Sequence, residues 1–467
     1  MGSNRTLLYG AVAVALLCVL PASALSGAER SEFPLAEASA FGADATFMRG
    51  HPAECVADPE SGVKYPHFES TAPIYGKVAF DGSFDDSQSG ITYHFAVDES
   101  KGPGKGYDRL YFDLNRNSDL TDDAPLSAMP DPPKGAIPSW QGIRSTCFSW
   151  LDVPFDYGEG VGVRPFRVLP RLGASDAGYR QLYFVSPVVR QGDIKIGIWK
   201  YKITLAQAYA ITCRFDRPLT YVVLSGGPTE PESWYGNEFL GAMRFLNGKL
   251  YRFSTTPLGD KLTVEEYMGD FGVLKLGAGD RKVDKLQLSG MLQSTDTFVV
   301  IRDSSGKSVY GGPEASISEC RLPVGDYTLS MVGVELGRLG ISVSNNYHSD
   351  GHPKDRQGRA VVYGVKIRQD APFVLDFSNK PEVVFASPAR DTILKPGDTL
   401  ETRAFLIDPV LDIMIRSIYN RADVRKQTFK FANGTSSEGE APTALTPVVT
   451  ITDASGKQIA SGVMPFG

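Results

Sequence analysis

Apolar residues along the chain fall into short clusters that are separated by polar turn sequences. Residues 74–80 read IYGKVAF and residues 91–97 read ITYHFAV, with a polar, glycine-containing segment between them. Short apolar runs rich in β-branched and aromatic residues indicate strands, and glycine, proline and aspartate between them indicate turns. The pattern recurs along most of the chain. We therefore predict a mainly β protein with several antiparallel sandwich-like or barrel-like domains in tandem and few short helices.

Changes in composition divide this pattern into regions. Residues 263–269 can form a short amphipathic helix, and residues 272–284 and 378–382 have the glycine, charge or proline of exposed linkers. We predict a signal peptide at 1–28, a β-rich N-terminal region at 29–255, a short helix and linker at 256–284, a β-sandwich at 285–378 and an immunoglobulin-like β-sandwich at 380–467.

The immunoglobulin-like character is a resemblance in strand spacing. The last two regions resemble the immunoglobulin-like accessory modules of exported bacterial proteins, which implies a sandwich fold and, because fold alone does not fix function, no activity. Residues 408–420 fit both a helical stripe and strand alternation. The surrounding β pattern favours a strand there.

The first 28 residues have the three parts of a secretory signal. Arg5 supplies a positive charge, residues 7–20 are an apolar core, and the small residues at 22–24 follow Pro21. Such a signal predicts export to the periplasm, the cell surface or the extracellular space. An uncleaved anchor is the alternative, although the apolar core is short for a membrane span. Because no later stretch is apolar enough to cross a bilayer, we expect no membrane span in the mature chain.

Charge and cysteine content narrow the classes of partner and site. The chain of 467 residues has a net charge of −6 and its basic residues form no stripe, so nucleic acid is not expected as a partner. Once the signal is removed, the even number of cysteines permits two disulfides in an exported protein, and buried thiols are the alternative. The lack of a CxxC spacing argues against a zinc site. The cysteines are Cys55, Cys147, Cys213 and Cys320.

The most specific motif lies in residues 107–123, which read YDRLYFDLNRNSDLTDD. A strand sequence leads into a loop in which every second residue carries a side-chain oxygen, and two carboxylates follow. This spacing lets a chain curl round a hard cation and offer it several oxygens, which suits calcium. A polar turn held by Asx hydrogen bonds is the alternative. We predict calcium as the cofactor, with the candidate ligands Asp113, Asn115, Asn117, Asp119, Thr121, Asp122 and Asp123.

Residues 113–124 resemble the calcium loop of EF-hand and dockerin modules. The resemblance implies that Asp113 is the first ligand, that Asp119 offers its backbone carbonyl and that Thr121 acts through a water molecule. It covers this loop alone and implies nothing about the rest of the chain.

Several residues depart from the pattern of that family. Ser118 stands in place of the glycine of the sharp turn, and Ala124 stands in place of the bidentate acid, so that Asp122 or Asp123 would have to close the site. A strand precedes the loop and Pro125 follows it, so no helix leaves the loop. These departures imply a weakly binding calcium loop on a β scaffold.

Other motifs give weaker signals. Residues 348–352, HSDGH, place two imidazoles beside a carboxylate and could bind zinc, but a solvated loop is the interpretation that we favour. Asp85 with Asp86 and Glu265 with Glu266 are neighbours, and adjacent side chains on a strand point in opposite directions, so neither pair indicates a catalytic dyad. The chain contains no GxSxG, P-loop, HExxH or dinucleotide motif.

Two functions remain open. The first is an exported, non-enzymatic surface, matrix or glycan-binding protein with a structural calcium loop, whose partner would be an extracellular glycan or a surface protein. The second is an exported hydrolase or lyase that acts on polysaccharide through a site in the N-terminal region. A cleft with paired carboxylates, lined by Trp140, Trp150 or Trp234, would favour the enzyme. A flat or closed first region would favour the binding protein.

Overall fold

The computed structural model shows an all-β chain. Its described residues are 30–41, 47, 49–80, 90–137, 142–175, 178–208, 210–226, 239–246, 249–280, 286–293, 298–301, 319–344, 364–387, 392–393, 395, 398–399, 402–430 and 436–464. The mainly β class with several antiparallel sheets is confirmed, whereas the described residues form no α-helix, short or long. In that part of the chain, therefore, no helix is able to cross a bilayer. The predicted signal peptide at 1–28 lies outside the described residues.

The strands up to residue 255 are β1 (Arg30–Pro34), β2 (Ala36–Ser39), β3 (His51–Pro52), β4 (Glu54–Val56), β5 (Ile74–Phe80), β6 (Ile91–Asp98), β7 (Arg109–Phe112), β8 (Leu126–Ser127), β9 (Arg144–Cys147), β10 (Leu151–Asp156), β11 (Val163–Ala174), β12 (Arg180–Val185), β13 (Val188–Ile196), β14 (Trp199–Ala206), β15 (Tyr221–Ser225), β16 (Arg244–Leu246) and β17 (Lys249–Thr255).

The strands after residue 255 are β18 (Lys261–Glu266), β19 (Phe271–Gly277), β20 (Leu286–Gln293), β21 (Phe298–Ile301), β22 (Glu319–Pro323), β23 (Gly325–Leu336), β24 (Leu339–Ser344), β25 (Val365–Ile367), β26 (Phe373–Asp376), β27 (Glu382–Ser387), β28 (Arg403–Asp408), β29 (Ile413–Lys430), β30 (Ser436–Ala444), β31 (Val448–Thr452) and β32 (Gln458–Val463).

Strands β1 to β18 form four antiparallel sheets. Strands β4 to β8 pair in chain order as a meander, and β10, β11, β12 and β3 form a second sheet with β9 added to β11. The other two sheets have the orders β15–β14–β13–β2 and β1–β18–β17–β16. The early strands β1, β2 and β3 each pair with a strand much later in the chain, which ties the start of the described chain into the region.

The main core of this region lies between the meander and the sheet that contains β12. Phe184 of β12 is fully buried. Its ring centroid lies 5.3 Å from that of Phe80, 6.5 Å from that of Phe95 and 5.7 Å from that of Phe112. These contacts join β12 to β5, β6 and β7, so the strand that leads into the candidate calcium loop has a rigid base.

The short helix predicted at 263–269 is wrong. Lys261–Glu266 form β18, which pairs with β17 on one side and with β1 on the other. Leu262, Thr263 and Val264 are all buried. Three consecutive buried residues show that both faces of this strand are covered, so the sequence lacks clean alternation there. Pairing with a neighbour at each edge outweighs the weak helical period of the sequence.

Part of the predicted linker at 256–284 is also a strand. Phe271–Gly277 form β19, which pairs antiparallel with β22 and in parallel with β26. Leu274 of this strand is buried in the second large core, together with Leu322 and Leu375 of its neighbours. The glycines of this segment led to the linker prediction. In the structure Gly272 has a packing role, because a Cβ atom at this position would collide with the carbonyl oxygen of Arg368.

One sheet crosses the predicted division at 378–380. Its order is β21–β20–β23–β24–β29–β28–β27, with β25 on β23 and β30 on β29. Ile413–Lys430 form β29, which confirms the strand predicted at 408–420 from residue 413 onward. Ile413 and Ile415 pack in the same core as Val332 and Val343. The predicted sandwich at 380–467 therefore shares its core with the preceding region, and none of the side chains whose burial is described after Ile415 is buried.

The cysteines that the structure describes are thiols, which agrees with the buried-thiol alternative. Cys55, Cys147 and Cys213 take part in no disulfide, and the side chain of Cys320 lies outside the described part. Burial raises the pKa of the Cys55 and Cys147 thiols. Both are therefore protonated at neutral pH and poorly reactive.

His51 is expected to make the core sensitive to acid. Its Nδ1 accepts a hydrogen bond from the Ile211 N–H at 2.9 Å, and its ring packs against Phe80. Burial lowers the pKa of His51 from the ordinary 6.5 to about 4. Between these values the unfolded chain binds a proton that the folded chain does not, so the stabilisation is complete above pH 6.5 and is lost as the pH falls towards 4.

We therefore expect His51→Gln to remove part of the acid sensitivity. Between about pH 7 and pH 4 the free energy of unfolding of the wild type should fall by about 3 kcal/mol more than that of the variant. The control is His67→Gln, because His67 is exposed. Denaturant unfolding at a series of pH values measures the difference. The same pH dependence in the wild type and in His51→Gln would contradict the assignment.

Candidate metal loop at the end of strand β7

The candidate loop is fixed at both ends. The N–H of Asp113 continues the ladder beyond β7 by donating to the carbonyl oxygen of His94 at 2.9 Å. At the other end Leu120 is fully buried and packs with Ala96 and Tyr111. Because sheet hydrogen bonds hold one end and apolar contacts the other, the residues between them have to turn within a short span.

Asp113 is the centre of the loop. Its side chain is fully buried. Its Oδ1 accepts the N–H of Asn117 at 3.0 Å and its Oδ2 accepts the N–H of Ser118 at 2.9 Å. A buried carboxylate needs such partners, and here they bend the chain back round it. Each carboxylate oxygen has a second lone pair, so these bonds leave capacity for a cation.

Two residues of the loop adopt the left-handed backbone conformation. Arg116 has φ of 60° and Ser118 has φ of 62°. Residues with a Cβ atom adopt this region at a cost of about 1–2 kcal/mol, which the loop's hydrogen bonds have to offset. The guanidinium carbon of Arg116 lies 5.9 Å from the ring centroid of Tyr93, a contact that holds this turn against the core. The turn that the sequence predicts at Ser118 is therefore made by a serine in a glycine-like conformation.

The two asparagine side chains support the same curl. Asn115 Oδ1 accepts the N–H of Asn117 at 3.0 Å, and Asn117 Oδ1 accepts the N–H of Asp119 at 2.8 Å. The Nδ2 of Asn117 donates to Oδ2 of Asp122 at 2.7 Å. These are the Asx hydrogen bonds of a polar turn, and they bring neutral amide oxygens next to the carboxylates.

The two acids after the loop fold back onto its start. Asp122 contacts Asn117 as described, and Asp123 Oδ2 accepts the N–H of Leu114 at 3.2 Å. Burial, together with repulsion from Asp122 and Asp113, raises the pKa of Asp123. Crowded carboxylates of this kind are relieved by a bound cation. Either acid is therefore placed to close the loop in the position where the family pattern is interrupted by Ala124.

The side chain of Asp119 interacts with Lys64 and Thr121. Asp119 Oδ2 lies 2.7 Å from Lys64 Nζ, and its Oδ1 accepts the N–H of Thr121 at 2.9 Å. The hydrogen bond from Lys64, followed by those from Thr121, lowers the pKa of Asp119 to about 2. These partners engage both carboxylate oxygens of Asp119, and the role of its backbone carbonyl as a ligand stays a prediction of the EF-hand resemblance.

Sequence reasoning did not identify Lys64 as a neighbour of the loop. Its N–H donates to the carbonyl oxygen of Ser118 at 2.8 Å, and its own carbonyl oxygen accepts the N–H of Leu120 at 2.9 Å. This short parallel bridge joins Lys64 to Asp119 across 55 positions of sequence. No local pattern marks such a partner, so only the folded chain reveals it.

The arrangement can offer oxygens to a hard cation. The structure brings Asp113, Asn115, Asn117, Asp122 and Asp123 into one hydrogen-bonded cluster, with Asp119 and Thr121 at its edge. The described residues contain no group of three or more His, Cys, Asp or Glu side chains arranged as for a metal ion. Besides carboxylates, the loop contains amide and backbone carbonyl oxygens, which are also ligands that calcium accepts.

The other sequence candidates contribute little to a site. Trp150 packs against Phe41, with 6.0 Å between ring centroids, beside a core cluster. Glu266 is paired with Lys249 at 2.7 Å, while Glu265 precedes it on β18 and so has the opposite orientation. The remaining candidates, which lie outside the described residues, are Asp85, Asp86, Trp140, Trp234 and the HSDGH segment 348–352.

Comparison with known proteins gives no match to a family model, to a curated protein or to a solved structure.

The strained turn makes a specific prediction. Ser118→Gly should raise the free energy of unfolding by about 0.5–1 kcal/mol. Glycine adopts positive φ without the steric cost, and its larger loss of backbone entropy on folding offsets part of that gain. The matched control is Ser127→Gly in β8, where φ is not positive and glycine should leave stability equal or lower. Denaturant unfolding of both variants measures this, and stabilisation by neither or by both equally would contradict strain at Ser118.

Proposed function

We propose that this chain is an exported, non-enzymatic β protein that binds a glycan or another component of a surface or matrix and is clipped by a structural calcium loop. The observation that carries the proposal is the curl of the loop round Asp113, a fully buried carboxylate held by two backbone N–H groups. The signal-like start of the sequence and the all-β architecture add support.

Calcium suits this loop better than softer metals do. Its donors are carboxylate, amide, hydroxyl and backbone oxygens, which hard cations prefer, and the described loop residues include no histidine or cysteine. Asp122 accepts a hydrogen bond from Asn117 and Asp123 accepts one from the Leu114 N–H, and these bonds bring two negative charges to the start of the loop. A strained serine and a replaced terminal acid weaken the site, so we expect extracellular-type dissociation constants on the order of 10⁻⁴ to 10⁻³ M.

The role of the ion would be to fix the β7–β8 end of the meander. The loop joins β7 to β8, and Lys64 adds the segment before β5 to the same point. A cation bound there would hold three segments together without taking part in chemistry. This is a stabilising function, consistent with a protein that presents a surface for binding.

The test of this function is binding by the full mature chain to immobilised surface material. The protein should be retained by at least one member of a panel of extracellular glycans in millimolar calcium, and it should release no reducing ends or unsaturated sugars from that glycan during long incubation. Retention with product release would favour the hydrolase or lyase. Absence of retention by every glycan and by intact cell-surface material would overturn the proposal.

A further inference from the structure

The β13–β14 hairpin has one apolar and one basic face. The apolar face packs in a core shared with Phe253 of β17, and its residues are Ile194, Ile196, Tyr201 and Ile203. The alternate positions Lys195, Lys200 and Lys202 are exposed, as is Asp193. Because directly paired residues of antiparallel strands share a face, the pairs Lys195 with Lys200 and Asp193 with Lys202 lie on the solvent side.

This basic face borders an open recess. The lining of the hairpin recess, as we name it, includes Phe33, Asp193, Lys195, Lys200, Lys202 and Ser225. Ser225 belongs to β15 and pairs with Lys202, whereas Phe33 comes from β1. The recess therefore brings together three cationic side chains, the Ser225 hydroxyl group and apolar side chains from four strands, with a single carboxylate.

The lysines of the recess are available to a ligand. None of Lys195, Lys200 and Lys202 forms an ion pair with a carboxylate in the described part of the chain, whereas Lys64, Lys249 and Lys261 elsewhere do. The whole chain has a net charge of −6, so three neighbouring lysines with one acid are a local reversal of sign. A surface with this local positive charge attracts anionic ligands.

We infer that the hairpin recess binds an acidic glycan, a linear polysaccharide that carries regularly spaced carboxylate or sulfate groups. This inference rests on the proposed function and names the class of its ligand. The ammonium groups would contact the acidic groups, Ser225 would donate or accept a hydrogen bond with sugar hydroxyls, and Phe33 would give an apolar wall for a ring face.

An anionic membrane is the competing partner for a basic hairpin. The turn of the hairpin exposes Ile198 by 82% and Trp199 by 40%, which could enter the headgroup region. The cations, however, line a concave recess together with a hydroxyl group. A recess that combines ammonium groups, a hydroxyl group and apolar side chains suits the acidic groups and the ring faces of a polysaccharide better than a bilayer surface, so we favour the glycan and use vesicles as a competing arm of the test.

The experiment uses the full mature chain with hyaluronan as the acidic probe, dextran as the uncharged probe and phosphatidylglycerol vesicles as the membrane probe. The test variant is Lys195→Gln/Lys200→Gln/Lys202→Gln. The matched control is Lys105→Gln/Lys134→Gln/Lys457→Gln, which removes the same charge from three exposed lysines far apart in the sequence. Affinity electrophoresis or calorimetry measures binding, and circular dichroism checks that both variants fold.

The wild type should bind hyaluronan and not dextran, and binding should weaken as salt is added. The recess variant should bind about tenfold or more weakly, since each exposed charge contact contributes roughly 1 kcal/mol or less, and the control should change by less than about twofold. An equal loss in both variants, or binding to vesicles alone, would overturn the inference. If the chain binds a neutral glycan but not hyaluronan, the recess assignment fails while the proposed function stands.

Discussion

Phe184→Ala is expected to lower the free energy of unfolding by about 3–5 kcal/mol, the largest loss that we predict for a single substitution. Phe184 is fully buried and its ring packs against Phe80, Phe95 and Phe112, which belong to three strands of the facing sheet. Alanine would leave a cavity at the point where the two sheets meet. Denaturant unfolding followed by fluorescence measures the loss.

The matched control for this substitution is Phe385→Ala. Phe385 lies on β27 with 56% of its surface exposed, so the same change there should alter stability by no more than about 0.5 kcal/mol. Comparable losses at Phe184 and Phe385 would contradict the assignment of the core. A small loss at Phe184 alone would show that the two sheets do not pack through this ring.

Asp113→Ala is expected to have two effects. Without calcium the variant should be less stable by about 3 kcal/mol, because the N–H groups of Asn117 and Ser118 lose a charged acceptor. With calcium the gap should widen, because the ligand that begins the loop is missing. Thermal unfolding in calcium and in chelator measures both effects.

Asp131→Ala is the matched control, since Asp131 is exposed and lies outside the loop. It should keep the stability of the wild type and its response to calcium. If Asp113→Ala keeps a full response to calcium, the ion binds elsewhere. If it loses the response but not the intrinsic stability, the hydrogen bonds of Asp113 contribute less than the structure indicates.

Local pattern was enough to predict several of the strands that build the first region, but not β1 and β2, whose segment reads as a short helical or irregular lead-in. Alternation along Ile74–Phe80 corresponds to the burial pattern of β5, and the run after Val188 forms the β13–β14 hairpin with its turn at Gly197 and Ile198. The oxygen spacing of the calcium-type loop was also visible, because all its candidate donors lie within eleven consecutive residues, 113–123. Features of this kind depend on neighbours in sequence.

Features that depend on distant partners were not predictable. The segment at Lys261–Glu266 fits a helical period, but pairing with both β1 and β17 makes it a central strand. Pairing of β24 with β29 joins regions that composition alone separates. Lys64 reaches the loop from 55 positions away. In each case the decisive interaction is between segments whose proximity only the fold creates.

The most direct test of the central claim is the thermal unfolding of the wild-type chain in millimolar calcium, in millimolar magnesium and in chelator. We predict that calcium raises the free energy of unfolding by roughly 1 kcal/mol, a shift of a few degrees in the melting midpoint, through preferential binding to the folded state. Magnesium should have less effect, because it demands a near-ideal octahedral geometry. The same midpoint in calcium and in chelator would show that the loop is an Asx turn that holds no metal.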